Sequence, residues 1–170
     1  MLLMDKIQTY PWLVLRTKSR RENIVENGLR QKKINAFLPR RKEVRIRRQT
    51  KRLLELPLFP GYIFVQPHPN QIEHLRHIPG SCGLIVIGNI PATMPDTELE
   101  AVRIMTRSGA KLSVNEELIP GKKVEVLSGP FKGVQGELVR IKNKQRLLIN
   151  AHVLGKSVDV EISSEKTKIL

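Results

Sequence analysis

Leu56-Pro57-Leu58-Phe59-Pro60-Gly61-Tyr62-Ile63-Phe64-Val65 sets an aromatic-rich apolar strand directly behind a block of dense positive charge, and its reading decides the fold. Three of the chain's seven aromatic residues fall between Phe59 and Phe64. Two prolines and a glycine make the approach to the strand stiff and sharply bent, because Pro fixes φ and Gly reaches angles that other residues avoid. Such a segment can hold rings at a site instead of merely collapsing them.

The block in front runs from Arg40 to Arg52. Eight basic residues (Arg40, Arg41, Lys42, Arg45, Arg47, Arg48, Lys51 and Arg52) face one acid, Glu43, and supply half of the chain's net charge of +14. Charge packed so densely repels itself and belongs on a solvated hairpin tip, where it either aids solubility or meets a polyanion. The second use is the expectation.

The 170 residues suffice for one ordinary domain or two small ones, and a hydrophobic content of 40% is compatible with folded cores. The net charge implies attraction to nucleic acid, acidic protein or anionic membrane. No apolar run approaches the roughly 20 residues that span a bilayer, so no membrane partner is expected. Met1-Leu2-Leu3-Met4-Asp5-Lys6 lacks the order of a secretory signal, and the single Cys82 excludes an internal disulfide. Both point to the cytoplasm.

Along the chain, Trp12 to Leu15 reads as a buried strand. Ser19-Arg20-Arg21-Glu22 has capping-box spacing ahead of a helix with Ile24, Val25 and Leu29 on its stripe, running to about Lys33. Ala36 to Leu54 reads as a long hairpin turning around Arg48-Gln49-Thr50-Lys51, followed by the strand Tyr62 to Gln66. A short helix from Asn70 to His77 ends at Pro79-Gly80, and Gly83 to Ile87 forms another strand. Pro95-Asp96-Thr97-Glu98 opens a helix with Leu99, Val102 and Met105 on one face. Beyond Ser108-Gly109 the polar stretch reads as a linker. From Pro120 short strands recur (Lys123 to Leu127, Val134 to Ile141, Arg146 to Ala151, Ser157 to Ile162, Thr167 to Leu170), as in a small all-β barrel.

The barrel opens with Ser128-Gly129-Pro130-Phe131-Lys132-Gly133-Val134-Gln135-Gly136. Neither the dinucleotide nor the Walker pattern is present and no helix follows, so a phosphate loop is rejected in favour of a strand-joining turn. Gly129, Pro130, Phe131, Gly133, Val134 and Gly136 closely resemble the KOW motif, which specifies a barrel more than a task.

Trp12, the basic hairpin and Leu58 to Val65 resemble the N-terminal domain of the NusG family of transcription elongation factors, and the two resemblances occur in that family's order. The resemblance implies an α+β chain: a ferredoxin-like α/β sandwich over residues 8–110, a linker over 111–119, and an SH3-like KOW barrel over 120–170. It implies that the first domain binds the clamp helices of RNA polymerase, with Phe59 and Tyr62 as contacts and Leu58, Phe64 and Trp12 beside them. Core packing is the competing role, favoured for Trp12 and Phe64.

A second basic cluster, Lys18, Arg20, Arg21, Arg30, Lys32 and Lys33, flanks the first helix. With Arg45, Arg47, Arg48, Lys51 and Arg52 it is expected to meet the DNA non-template strand, nascent RNA, or both. The barrel, carrying ten basic and five acidic residues, is expected to recruit a small-subunit ribosomal protein or a termination factor, or to touch RNA. Strong charge and a short layout resemble a specialised paralogue, acting as a monomer.

No catalytic reading survives. His68, His74, His77 and His152 form no metal-ligand spacing with Cys82 or with acids. Asp96, Glu98 and Glu100 are accounted for by a helix N-terminus. A non-enzyme without cofactor or metal is expected, one that suppresses pausing and termination. The rival is an RNA-binding or ribosome-associated KOW module acting without polymerase.

Overall fold

The computed structural model of the protein describes residues 9–170; the Met1 to Lys6 segment and the first residue of the expected N-terminal domain lie outside the described residues. The centre of the first unit is β1 (Trp12–Thr17), apolar at four successive positions because elements cover both of its faces. Its alternate residues divide two cores. Leu13 and Leu15, with Ile63 and Val65, pack on Val25 and Leu29 of α1 (Glu22–Gln31) and on Leu75 and Ile78. Trp12, Val14 and Phe64 face the opposite way.

Asn35–Phe37 (β2) follows α1, and the basic block forms a hairpin of β3 (Arg40–Arg47) and β4 (Thr50–Pro57). Its turn, Arg48-Gln49, has φ of 49° and 66°, the paired positive angles of a type I′ turn that matches strand twist. The turn fixes an unbroken register from Arg47 opposite Thr50 to Arg40 opposite Pro57. Then comes β5 (Tyr62–Gln66), a 3₁₀ helix (Pro69–His77) and β6 (Ser81–Leu84). The expected strand Gly83 to Ile87 is broken at Ile85: Val86–Ile87 (β7) turns back through Gly88-Asn89 onto Ile90–Pro91 (β8) as a small hairpin of its own. Thr93–Met94 (β9) returns to β1, giving an antiparallel sheet in the order β2-β5-β1-β6 with β9 also on β1.

Asp96–Arg107 (α2) covers the second face, its Leu99, Val102 and Met105 completing the core around Trp12, Val14 and Phe64. One helix therefore lies on each side of the sheet.

The barrel strands are β11 (Lys122–Val126), β12 (Gln135–Ile141), β13 (Lys144–Ala151), β14 (Lys156–Glu161) and β15 (Thr167–Ile169). The KOW glycine Gly136 has a steric reason: a Cβ there would sit 2.4 Å from the Leu148 carbonyl oxygen. Residues 113–119, read as linker, are strapped to the barrel instead. Ser113–Asn115 forms β10 on the edge at β14. The Asn150 side chain closes two 3.0 Å bonds with the Ile119 backbone, and the Ser157 hydroxyl donates to the Glu117 carbonyl at 2.9 Å. An edge strand needs little apolar alternation, which is why this polar stretch hides one.

The capping box is absent. Arg21, not Ser19, stands at the N-cap and no side chain caps the helix. Arg20 takes φ of 59°, and Glu22 turns inward, where its carboxylate accepts the Gly61 N–H at 2.9 Å. Ile24, expected on the buried stripe, is exposed.

Candidate functional site

The motif strand builds one aromatic face. Phe64 meets Phe59 edge-on at 6.2 Å and stacks with Phe37 at 6.3 Å between centroids. From α2 the Arg103 guanidinium lies 4.5 Å from the Phe37 ring centre and 5.3 Å from that of Trp12, cation–π placements that close the face from above. The consequence corrects an expectation. Phe59, at 1% exposure, is a packing residue as Leu58, Phe64 and Trp12 are, so four of the five expected contact residues are interior. The Pro60-Gly61 bend turns the Phe59 ring under the sheet; Leu58 is held there by its N–H to the Pro39 carbonyl.

Tyr62 is the exception, half-buried at the end of that face. Its cross-strand partner is Arg16, exposed and itself opposite Gly83 on β6. The backbone around them is fixed from three sides. Thr17 donates to the Gly61 carbonyl at 2.9 Å, Lys18 donates to the Gly80 carbonyl at 2.8 Å, and Glu22 holds the Gly61 N–H. Gly61 sits at φ of 87°, so the turn requires glycine. The arrangement is a rigid aromatic tip beside a cation.

The second basic cluster does not assemble as one. Lys18, Arg20 and Arg21 lie in the turn before α1, where Lys18 and Arg21 meet Gly80. Arg30, Lys32 and Lys33 lie at the far end of α1, about 15 Å away for a helix of ten residues. Arg16, Arg76 and His77 are further exposed basic side chains that the sequence did not single out. Arg76 and His77, joined by a 3.2 Å contact, stand exposed on the segment leading to Gly80. Their only signal was position after the motif strand.

On the hairpin the charges are compensated at the base and not at the tip. Arg40 pairs with Glu26 and with Asn23, and Arg41 and Arg45 reach Glu43 at 3.6 and 2.9 Å. The Arg45 hydrogen bond, more than any other influence, holds the Glu43 carboxyl below its ordinary value, and the charges of Arg45 and Arg41 add to it.

The barrel packs directly on the first unit. Thr97, Ala101 and Ile104, a second stripe on α2 that the sequence reading overlooked, face Gly133, Val134 and Gln135. Ala101 is buried there. At one end the Glu98 carboxylate meets His152 Nδ1 at 2.5 Å and accepts its backbone N–H at 3.3 Å. Among the described residues no group of three His, Cys, Asp or Glu side chains is placed to hold a metal ion, and no helix is long and apolar enough to cross a membrane.

Comparison with known proteins gives two family matches. Residues 10–103 match the model described as transcription termination factor nusG, and residues 120–154 match the KOW motif. The NusG transcription termination/antitermination protein of Pseudomonas aeruginosa is 30% identical over 83% of this chain and 82% of its own length. That of Escherichia coli K12 is 30% identical over 85% and 82%, and that of Buchnera aphidicola 28% over 94% and 96%. A solved structure concerning domain interaction in Thermotoga maritima NusG matches the fold with a TM-score of 0.53, at 20% identity, over 94% of this chain and 97% of that one.

Proposed function

The chain belongs to the NusG family, and from that premise we propose that it is a transcription elongation factor that docks on the clamp helices of RNA polymerase through the Tyr62 end of its first domain. Its relatives are named for transcription termination and antitermination, and this protein acts in the same process. The observation that carries the docking reading is Tyr62 itself. Within the aromatic cluster it is the ring of the motif strand that stays accessible, held on a turn whose backbone is bonded from three sides. A rigid aromatic tip beside an arginine gives large contact area at little entropic cost, as binding hot spots require. Phe59, Leu58, Phe64 and Trp12 support that surface from inside.

Lys18, Arg20 and Arg21, with Arg16, Arg76 and His77, border the tip and are proposed to neutralise phosphates of the displaced DNA strand or the transcript. The factor makes and breaks no bond. It acts as a ligand that binds the elongating form of polymerase better than the paused form, and a preference of about 1.4 kcal/mol changes their ratio tenfold. The barrel is proposed to recruit a further partner, a ribosomal small-subunit protein or a termination factor; its α2-facing side is occupied while the Thr97 to Ile104 seam is closed.

The test is single-round transcription with purified polymerase on a pausing template. Added protein shortens pauses, and Tyr62→Ala abolishes the effect while leaving the unfolding midpoint in place. An RNA-binding module acting without polymerase would instead bind RNA tightly on its own and leave pausing unchanged in both forms.

A further inference from the structure

We propose that the β3–β4 hairpin is a binding site for double-stranded DNA, its tip lying in the major groove; the inference rests on the proposed role in transcription only for the nucleic acid being at hand. Charge comes first. Glu26 and Glu43 compensate the arginines near the base, whereas Arg47, Arg48, Lys51 and Arg52 form no ion pair among the described residues. Arg45 stands directly opposite Arg52 across the ribbon. Facing like charges destabilise a strand pair unless anions lie against them, and Glu43 offsets Arg45 alone, which leaves Arg52 with the tip charges for a further anion.

Shape and chemistry select the ligand. Two strands of eight residues reach about 25 Å, and a two-stranded ribbon fits the roughly 12 Å major groove of B-form DNA. The deep, narrow groove of an RNA duplex does not admit one. From Arg40 to Pro57 the chain contains no Phe, Tyr, Trp or His. Surfaces for single strands stack bases on rings, and this ribbon has none to offer. By register Arg45, Arg47 and Arg52 share one face, and the other carries Lys51 together with Val44, Ile46 and Leu53, which are 60%, 67% and 62% exposed. Aliphatic side chains of this kind contact thymine methyl groups in the major groove.

The experiment uses the full chain without polymerase. Fluorescence anisotropy compares a DNA duplex of about two helical turns, one of its strands alone, and the RNA duplex of the same sequence. The DNA duplex is expected to bind most tightly. Replacing Arg47, Arg48, Lys51 and Arg52 by Ser should weaken it at least tenfold and lower the log–log salt slope by about 3 to 4, since each phosphate contact contributes about 0.9. Replacing Lys122, Lys132, Lys142 and Lys168 on the barrel, exposed residues of equal total charge, should leave most of the affinity. Val44→Ser with Ile46→Ser and Leu53→Ser should weaken binding a few-fold at unchanged slope. Equal loss in both charge variants, tighter binding of the single strand or the RNA duplex, or indifference to the aliphatic changes would overturn the proposal. Tyr62→Ala should bind the duplex normally, so failure here leaves the polymerase docking untouched.

Discussion

The motif strand and the hairpin that precedes it are chain neighbours that both carry large apolar side chains, yet one is interior and the other projects into solvent. Phe59, Ile63, Phe64 and Val65 are almost wholly buried; Val44, Ile46 and Leu53 are more than half exposed. What separates them is whether another element lies over the face. The sheet is covered by α1 on one side and α2 on the other, whereas among the described residues β3 and β4 pair with each other and with no other strand. One region is built for stability and presents a single ring at its edge. The other adds little to the core and presents charge.

The largest effect that sharpens this contrast is in packing. Phe64→Ala should cost about 3–5 kcal/mol in urea denaturation. Ile46→Ala and Leu53→Ala should stay within about 0.5 kcal/mol. Similar costs in the two regions would break the comparison. Next come the carboxylates. Glu22→Ala leaves the Gly61 N–H without its acceptor and should cost about 1–3 kcal/mol, while Glu43→Ala should leave global unfolding unchanged. Smaller still, Arg103→Gln removes the cation from above Phe37 and Trp12 and should cost about 1 kcal/mol, seen as a shifted tryptophan emission and a lower midpoint.

The smallest effect concerns pH. Glu43 titrates lower in the folded hairpin than in the unfolded chain, so its contribution is complete above the unfolded carboxylate value and is lost as pH falls through the folded one. Acid should therefore loosen the Arg41–Glu43–Arg45 cluster, moving the hairpin amide resonances in NMR spectra without moving those of β1 and β5. Salt should blunt the change, because the group is exposed.

Much of this was legible in the sequence because local chemistry agreed with the fold. The apolar runs of β1 and β5, the hairpin about Arg48-Gln49, α2 and the barrel strands all carried their own pattern or turn signal. What was not legible depended on tertiary context. Ser19 to Glu22 has the spacing of a cap, but Gly61, 39 residues on, competes for the carboxylate and wins. Phe59 and Tyr62 look alike in sequence, and only the Pro60-Gly61 bend sends one ring under the sheet and leaves the other at its edge. The edge strand Ser113–Asn115 and the Thr97, Ala101 and Ile104 stripe have meaning only once the barrel is in place. For the same reason a Phe59→Ala substitution is a poor probe of docking: it removes a core ring.

The accessible end of the aromatic face, not its interior, is the proposed docking surface. Equilibrium binding of the full chain to purified RNA polymerase, measured for the natural protein and for Tyr62→Ala at matched unfolding midpoints, tests it most directly. A loss of about 30-fold is expected, corresponding to a hot-spot contribution of about 2 kcal/mol. Unchanged affinity in the variant would contradict it.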